Sequence, residues 1–197
     1  MRPSGPLLDL PKLHSLSREF IASLTPDALY GQLLAWAEEY DTELASVLAH
    51  HEELALAAVA TGRPEGAPAR KDLERWSCSR DRYGFFFAEL FGRPPAPGDD
   101  RYGGLPEDQV RSVASEFASL SFEKRYTNLG ELAGRHGFAP DTASWRWDPN
   151  RWAGPPRLIA NVARVALTGA TRSPDPVAVA RALGRDEVVR RLTAVAG

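Results

Sequence analysis

Apolar residues recur every three or four positions along most of the chain, which is the spacing of one face of a helix. One such stripe covers residues 13–24, a second follows the helix-start signal Thr25-Pro26, and a third covers residues 41–59. Threonine caps a helix and proline suits its first turn. No alternating strand pattern persists, so the sequence predicts an all-α protein of about eight to ten helices.

The clearest domain boundary is a stretch at residues 92–104 that is rich in proline, glycine and aspartate. Such a composition is typical of a segment that connects two packed regions. We therefore expect a first helical subdomain at residues 1–96, a linker at 97–104 and a second helical subdomain at 105–197.

Beyond this boundary the helical spacing returns in several segments. Pro106 opens one helix, a second covers residues 122–136, and Asp175-Pro176 starts another. Residues 138–156 show no periodicity and are predicted to be irregular.

Length and composition indicate one domain or two small ones. The chain has 197 residues, of which 43% are hydrophobic, and this is enough for a buried core. No run of about 18 apolar residues occurs, so no transmembrane helix is predicted. The N-terminal residues 1–6 lack the apolar core of a signal peptide. The single cysteine, Cys78, excludes a disulfide framework and predicts a cytoplasmic protein.

The net charge of −2 hides an uneven distribution along the chain. Residues 1–68 carry a net charge of −6, whereas residues 135–197 carry +5, and every basic residue of that last segment is an arginine. Arginine forks fit phosphates and base edges and stack on rings. The pattern favours a polyanionic partner, and an ordinary arginine bias in composition explains it equally well.

Side chains that perform catalysis or bind metals form no recognisable constellation. His50 and His51 are adjacent and point to different helix faces, which is not a metal-ligand spacing. Cys78 is expected to pack rather than to react. Gly103-Gly104 lacks the following lysine of a phosphate-binding loop. The sequence therefore predicts no metal, no cofactor and no enzymatic activity of the chain on its own.

Tryptophans and arginines are interleaved within one short segment: Trp145, Arg146, Trp147, Arg151 and Trp152. Arginines beside exposed aromatic rings neutralise phosphates and stack on unpaired bases. The same tryptophans also suit a loop whose rings pack into the core, and both interpretations stay open at the level of sequence.

The most informative stretch is an apolar helix that stops at Gly169 and continues into a short polar loop with two prolines. Arg164 lies near the end of that helix, and Arg172 lies in the loop. Such a loop has a fixed shape and exposes polar groups beside arginines. It favours recognition of an anionic or polar ligand over catalysis.

Several blocks of the sequence, in the same order, resemble the C-terminal anticodon-binding region of bacterial class I glutamyl-tRNA synthetases. The most specific block is Arg164-Val165-Ala166-Leu167-Thr168-Gly169 with the following Ser173-Pro174-Asp175. The resemblance covers residues 10–196, and its other blocks lie at 12–21, 70–73, 85–87, 137–139, 150–154 and 183–192.

This resemblance implies a two-part helical bundle, a cage around the anticodon loop of a tRNA, most simply a glutamate tRNA. Carried over to this sequence, Arg164, Ser173 and Pro174 are expected to face splayed bases, with Arg70 or Lys71 nearby. The expected anticodon-binding set is Arg70, Lys71, Arg164, Thr168, Arg172, Ser173, Pro174 and Val177. Pro176 and Val177 stand where the family usually has a large apolar residue, which leaves the base preference open.

The two ATP-binding signatures of the family are absent from this sequence, so the resemblance implies a module that is non-catalytic on its own, either a fragment of a glutamate–tRNA ligase or a free-standing paralogue. Two other interpretations stay open. The acidic first third suits a free-standing paralogue that acts as a protein-interaction module and docks on a catalytic synthetase subunit or a biosynthetic enzyme. Two short apolar helices around Gly184 match a helix-turn-helix outline, which would indicate DNA binding.

Overall fold

The structure, a computed structural model, describes residues 9–120 and 129–197. Helices are the only regular elements among these residues, so the predicted all-α class is confirmed. The chain divides into two compact units, Met1–Phe87 and Ala88–Gly197. In this division the segment 97–104 belongs to the second unit, and its role as a linker stays a prediction.

The first unit is built around three packed helices. Its described α-helices are α1 (Leu10–Ser23), α2 (Pro26–Tyr40), α3 (Thr42–His50), α4 (Glu52–Ala60) and α5 (Ser79–Tyr83), with 3₁₀ turns at Trp76–Cys78 and Gly84–Phe86. As predicted, Thr25 caps α2, because its hydroxyl accepts the backbone N–H of Ala28 at 3.3 Å. The buried core includes Leu29, Leu33, Leu44, Leu48, Ala55, Val59, Phe86 and Phe87.

The helix predicted over residues 41–59 is in fact two helices that meet at His51. This residue leaves helical geometry at φ −117° and ψ 47°, and its ring lies 6.1 Å from the ring of Phe87. Glu52 and Glu53 then open α4, where carboxylates interact favourably with the helix dipole. A tertiary contact thus coincides with the break in a helix that the hydrophobic spacing would have continued.

The apolar stripe of α1 is largely exposed to solvent. Leu13, Leu16 and Phe20 are 46%, 54% and 55% exposed. Ile21 is the buried residue of this helix, and its carbonyl accepts a hydrogen bond from Nη2 of Arg63 at 2.7 Å. Only the C-terminal end of α1 is therefore tied into the core of the first unit.

The second unit is organised around α12. Its described helices are α6 (Ala88–Phe91), α7 (Glu107–Ser119), α8 (Leu129–Arg135), α9 (Thr142–Trp147), α10 (Arg157–Thr168), α11 (Pro176–Leu183) and α12 (Arg185–Ala196), with 3₁₀ turns at Asp100–Tyr102 and Pro149–Arg151. The last helix packs against α7 and α10. The core they share includes Val110, Val113, Phe117, Ile159, Val162, Val188, Leu192 and Val195.

Two predictions for the second unit need correction. Residues 138–156 are not irregular throughout, because Asp141 accepts the N–H of Ser144 at 2.7 Å and caps α9. The described residues also form twelve α-helices rather than eight to ten. Several of these span too few residues to show a hydrophobic period. Of the helix predicted at 122–136, α8 is described, and residues 121–128 lie outside the described residues.

The helix-turn-helix outline does not match the geometry of α11 and α12. Gly184 alone separates them, with φ 77°, whereas that motif joins its helices by a turn of roughly three to four residues. Arg191, on the helix that would read DNA, is fully buried. Both features argue against a DNA-binding helix-turn-helix at α11 and α12.

Candidate nucleic-acid interface

Neither a membrane segment nor a metal centre is present within residues 9–120 and 129–197. None of the helices there is long and apolar enough to cross a bilayer. No three histidine, cysteine or carboxylate side chains of this part of the chain are grouped to hold a metal ion.

One polar stripe runs along the otherwise buried helix α10. The α10 stripe consists of residues spaced three or four apart, which places them on one side of the helix: Arg157, Asn161, Arg164 and Thr168. Arg164 is half-buried, and within the described part of the chain its guanidinium makes no hydrogen bond or ion pair. It therefore presents unused donors in a fork that suits base edges and phosphates.

The end of α10 is a rigid cap. Thr168 is 6% exposed, and its hydroxyl donates to the carbonyl of Arg164 at 2.8 Å and accepts the N–H of Ala170 at 3.2 Å. Gly169 has φ 68°, and a Cβ at this position would lie 3.3 Å from the ring of Phe91. Both features favour glycine. Thr168, predicted to contact RNA, thus uses its hydroxyl to hold the backbone beneath Arg164.

The loop between α10 and α11 is held by its own polar groups. The hydroxyl of Ser173 donates to the carbonyl of Pro174 at 2.8 Å, and Pro174 is buried. Asp175 accepts the N–H of Ala178 at 3.1 Å and caps α11, as the sequence predicted. Arg172 is exposed and has no side-chain partner among the residues described. The loop is therefore ordered by internal contacts, while its arginine faces solvent.

Six of the eight predicted residues lie at the end of α10, in the loop that follows or in the first turn of α11: Arg164, Thr168, Arg172, Ser173, Pro174 and Val177. The other two, Arg70 and Lys71, lie in the first unit. Arg70 donates to Asp72 at 2.7 Å, and Lys71 donates to Glu19 at 3.3 Å. Their side chains are 45% and 60% exposed. Their place beside an anticodon stays a prediction.

Arg101, which the sequence did not single out, supports the same helix end. Its Nη1 donates to the carbonyl of Gly169 at 2.8 Å, and its own carbonyl accepts from Nδ2 of Asn161 at 2.7 Å. Both oxygens of Asp99 accept from this guanidinium at 2.7 Å, which lowers the pKa of Asp99 to about 2. Its position in a segment rich in proline and glycine hid this role, because the contacts join distant parts of the chain.

Arg191 is a second support that the sequence did not reveal. It is fully buried, and it donates to Glu187 at 2.6 Å and to the carbonyl of Leu167 at 2.5 Å. Its guanidinium also lies 4.0 Å from the ring centroid of Phe91. Hydrogen bonds from Arg190 and Arg191 lower the pKa of Glu187. Arg191 thus fastens α12 to the last turn of α10, where carbonyls otherwise lack partners.

Most arginines of residues 135–197 have no acidic partner. Within the described residues, seven of the ten make no side-chain hydrogen bond or ion pair: Arg146, Arg151, Arg157, Arg164, Arg172, Arg181 and Arg185. Six of the seven are exposed, and Arg164 is half-buried. This unneutralised charge creates a positive field that attracts phosphate groups.

These features lie in a segment with known counterparts. Residues 156–196, which contain the α10 stripe, the loop, α11 and α12, match a family model described as an anticodon binding domain. The resemblance to the anticodon-binding region of glutamyl-tRNA synthetases is thereby confirmed for the class of domain.

The curated relatives are glutamate–tRNA ligases. The chain is 27% identical to that of Clostridium perfringens over 98% of its own length, and 28% identical to that of Sorangium cellulosum, also over 98%. It is 27% identical to that of Clostridium beijerinckii over 97%. The chain spans about a third of these relatives, with 36%, 34% and 35% of their lengths covered. No solved structure matches it significantly.

Proposed function

We propose that the chain is a tRNA-binding module that holds the anticodon loop of a glutamate tRNA and catalyses no reaction by itself. One observation carries the proposal: the guanidinium of Arg164 has no partner among the described residues, and it stands on a rigid helix end inside the segment that matches an anticodon binding domain. In this proposal the chain works in the cytoplasm, together with a catalytic synthetase subunit or domain.

The chemistry of an anticodon loop suits this arrangement. Unstacked bases offer their edges to a planar guanidinium, which can donate two parallel hydrogen bonds. Arg164 and Ser173 are proposed to face the bases, and Arg172 to face a phosphate of the loop. Thr168 and Pro174 are proposed to hold the backbone that positions them. Val177, half-buried at the start of α11, is proposed to contact a base edge through apolar surface.

Arg70 and Lys71 are proposed to contribute from the first unit. Their ion pairs with Asp72 and Glu19 are exposed to solvent. Exposed pairs of this kind contribute at most about 1 kcal/mol, so a phosphate can replace the carboxylate at little cost.

The proposal is tested by binding of a glutamate tRNA transcript to the wild-type chain and to Arg164→Ala. Loss of a forked contact to a base weakens binding roughly tenfold or more and reduces discrimination against other tRNAs. Arg190→Ala is the matched control, because this exposed arginine of the same unit is paired with Glu187 at 2.6 Å. Arg164→Lys keeps the charge and is expected to recover only part of the loss.

The readout is fluorescence anisotropy with a labelled transcript at fixed salt, since affinity for RNA depends strongly on ionic strength. Equal affinity of the wild-type chain for unrelated tRNAs would falsify anticodon reading. If Arg164→Ala and Arg190→Ala lose the same affinity for the tRNA, Arg164 contributes no more than any other surface charge.

The first unit supports a second candidate function, docking on a protein. The exposed stripe of α1 places Leu10, Leu13, Leu16 and Phe20 on a helix of which only one end is buried in this unit. Contiguous apolar patches on a surface mark interaction sites. A partner with a complementary apolar groove, such as a catalytic synthetase subunit or a biosynthetic enzyme, would cover this stripe.

A pull-down after nuclease treatment tests this candidate. The double variant Leu13→Glu/Leu16→Glu is expected to lose a partner that the wild-type chain retains without RNA. Ser15→Glu, which adds charge on the opposite side of α1, is the control and is expected to keep it. If the wild-type chain retrieves only RNA, protein docking is excluded as its function.

A further inference from the structure

A second surface of the second unit has the features of a ligand site and shares no residue with the α10 stripe or its loop. It is a cavity of about 380 Å³ where α9 ends and the 3₁₀ turn Pro149–Arg151 follows. Its size is within the range of small-ligand sites. We call it the tryptophan notch, and it is lined by Ala143, Ser144, Trp147, Asp148, Arg151 and Trp152.

Trp147 lines the notch with a ring that is not packed into the core of the protein. Its side chain is 91% exposed, more than any other large apolar residue in the described part of the chain. Tryptophan is usually mostly buried, so an indole ring left in water is available for contact with a ligand. The interpretation that this ring packs in the core of a loop is therefore wrong for Trp147.

Arg151 and Trp152, which also line the notch, combine a positive charge with a flat aromatic ring. The guanidinium carbon of Arg151 lies 5.0 Å from the ring centroid of Trp152, which is the geometry of a cation–π pair. This contact holds the guanidinium plane at the cavity. Arg146, on the last turn of α9, is exposed and makes no side-chain hydrogen bond or ion pair with a described residue. The notch thus offers aromatic surface and one cation, Arg151, and a second arginine, Arg146, is the neighbour of Trp147 in the chain.

The polar side chains that line the notch restrict the kinds of ligand it can bind. Asp148 and Ser144 place a carboxylate and a hydroxyl in the same cavity, where they can accept hydrogen bonds from the N–H groups of a base. A carboxylate disfavours a simple anion. A flat ring with N–H donors on its edge and a phosphate attached satisfies the indole, the carboxylate and the arginines together, and an unpaired nucleotide is such a ligand.

We propose that the tryptophan notch binds one unpaired nucleotide of an RNA strand, by stacking its base on Trp147 and contacting the adjacent phosphate through Arg151 and Arg146. The site goes beyond anticodon reading, because stacking accepts any base and the residues involved are different. It would add affinity for single-stranded RNA without adding base preference.

The test uses the full chain and two single-stranded hexamers, hexauridylate and hexaadenylate, which contain no anticodon loop. Trp147→Leu, which keeps apolar bulk and removes the ring, is expected to lower hexamer affinity roughly tenfold, and Trp147→Phe to recover most of it. Tyr40→Leu is the matched control, because Tyr40 is an exposed aromatic, at 65%, in the first unit. In NMR spectra the indole N–H signals of Trp147 and Trp152 should shift on titration, and that of Trp36 should not.

The outcomes separate this site from the proposed function. The inference is supported if Trp147→Leu weakens hexamer binding and Tyr40→Leu does not, whereas Arg164→Ala, measured with the glutamate tRNA, tests the proposed anticodon site and decides nothing about the notch. It is overturned if the wild-type chain binds neither hexamer, if Trp147→Leu binds as well as wild type, or if Tyr40→Leu causes an equal loss. Loss of a protein partner in Trp147→Leu, with hexamer binding intact, would likewise overturn it.

Discussion

The described arginines of the first unit face carboxylates or carbonyls, whereas most arginines near the C-terminus face solvent. Arg80 is held by both oxygens of Asp41, at 2.6 and 2.9 Å, and Arg18 donates to Glu74 at 2.5 Å. Arg164 and Arg172, in contrast, have no partner within the described residues. Arginine side chains therefore stabilise the first unit through ion pairs and give the second unit a surplus of positive charge. The net charge of the whole chain does not reveal this difference between the units.

This contrast explains why a chain with a net charge of −2 is still a good candidate for RNA binding. Acidic residues neutralise most described arginines of the first unit locally, so these arginines contact an anionic ligand only where a phosphate takes the place of the carboxylate, as proposed for Arg70. The surplus of positive charge near the C-terminus is unneutralised, and it lies largely in the segment that matches an anticodon binding domain. Replacing arginines that have a partner and arginines that have none among the described residues therefore separates their contributions to stability and to RNA binding.

The largest expected effect concerns stability. Arg191→Ala removes a buried guanidinium and leaves Glu187 and the carbonyl of Leu167 without it, which should lower the free energy of unfolding by about 3 kcal/mol. Arg190→Ala breaks an exposed contact to the same Glu187 and should cost less than about 1 kcal/mol. Urea unfolding followed by circular dichroism measures both. If the two variants lose similar amounts of unfolding free energy, the burial of Arg191 does not contribute to stability.

The second prediction concerns salt. Replacing Arg157, Arg172 and Arg181 by glutamine should lower the slope of log affinity for tRNA against log salt by about 2. A triple glutamine variant of Arg18, Arg75 and Arg80, which have acidic partners, should leave the slope nearly unchanged. Binding is measured between low and moderate salt. Equal slopes for the two variants would refute the division between neutralised and unneutralised arginines.

The third prediction concerns acid sensitivity of the first unit. A hydrogen bond from Arg80 holds the pKa of Asp41 below its ordinary value of 3.8, so the pair stabilises the fold above that pH and loses its effect as pH falls through the lowered pKa. Arg80→Gln should therefore cost up to about 1 kcal/mol at pH 7, because the pair is partly exposed. The difference from wild type should vanish near the acid end of the titration.

Urea unfolding at neutral and at acidic pH measures this convergence. Arg185→Gln, which removes an exposed arginine without a partner in the described residues, is the control and should change stability by less than about 0.5 kcal/mol at either pH. A loss in Arg80→Gln that persists unchanged at acidic pH would contradict an ionic origin.

The smallest expected effect is local. The carboxyl group of Asp99 should titrate at about 2, because Arg101 donates to both of its oxygens. Arg101→Gln should move this titration up toward the ordinary value of 3.8, with little change in overall fold. Carbon NMR of the labelled carboxyl group follows the midpoint directly. An unchanged midpoint would show that this contact is not maintained in solution.

Much of the fold is readable from local sequence. The hydrophobic spacing predicts the long helices. Thr25 and Asp175 mark the starts of α2 and α11, and Gly169 marks the end of α10. The interruption at His51 is not readable, because it coincides with a ring contact to Phe87 from a distant part of the chain. Short helices such as α9 also escape, since six residues do not display a period.

The candidate site divides in the same way. The block from Arg164 to Gly169 and the proline loop carry a resemblance that points to a ligand class, so these residues were named from sequence. Arg101 and Arg191, which hold that block in place, were not, because their partners lie 68 and 24 residues away in the chain. The exposure of Trp147 was likewise undecided until the fold placed its ring outside the core.

The amino-acid sequence alone determined the all-α class, the uneven distribution of arginines and the helix end that carries Arg164. These depend on spacing, composition and capping, which act over a few residues. Tertiary structure decided which arginines are neutralised, as when Arg80 meets Asp41 from 39 residues away. The reason is physical: an ion pair depends on distance in space, and only the folded chain sets that distance.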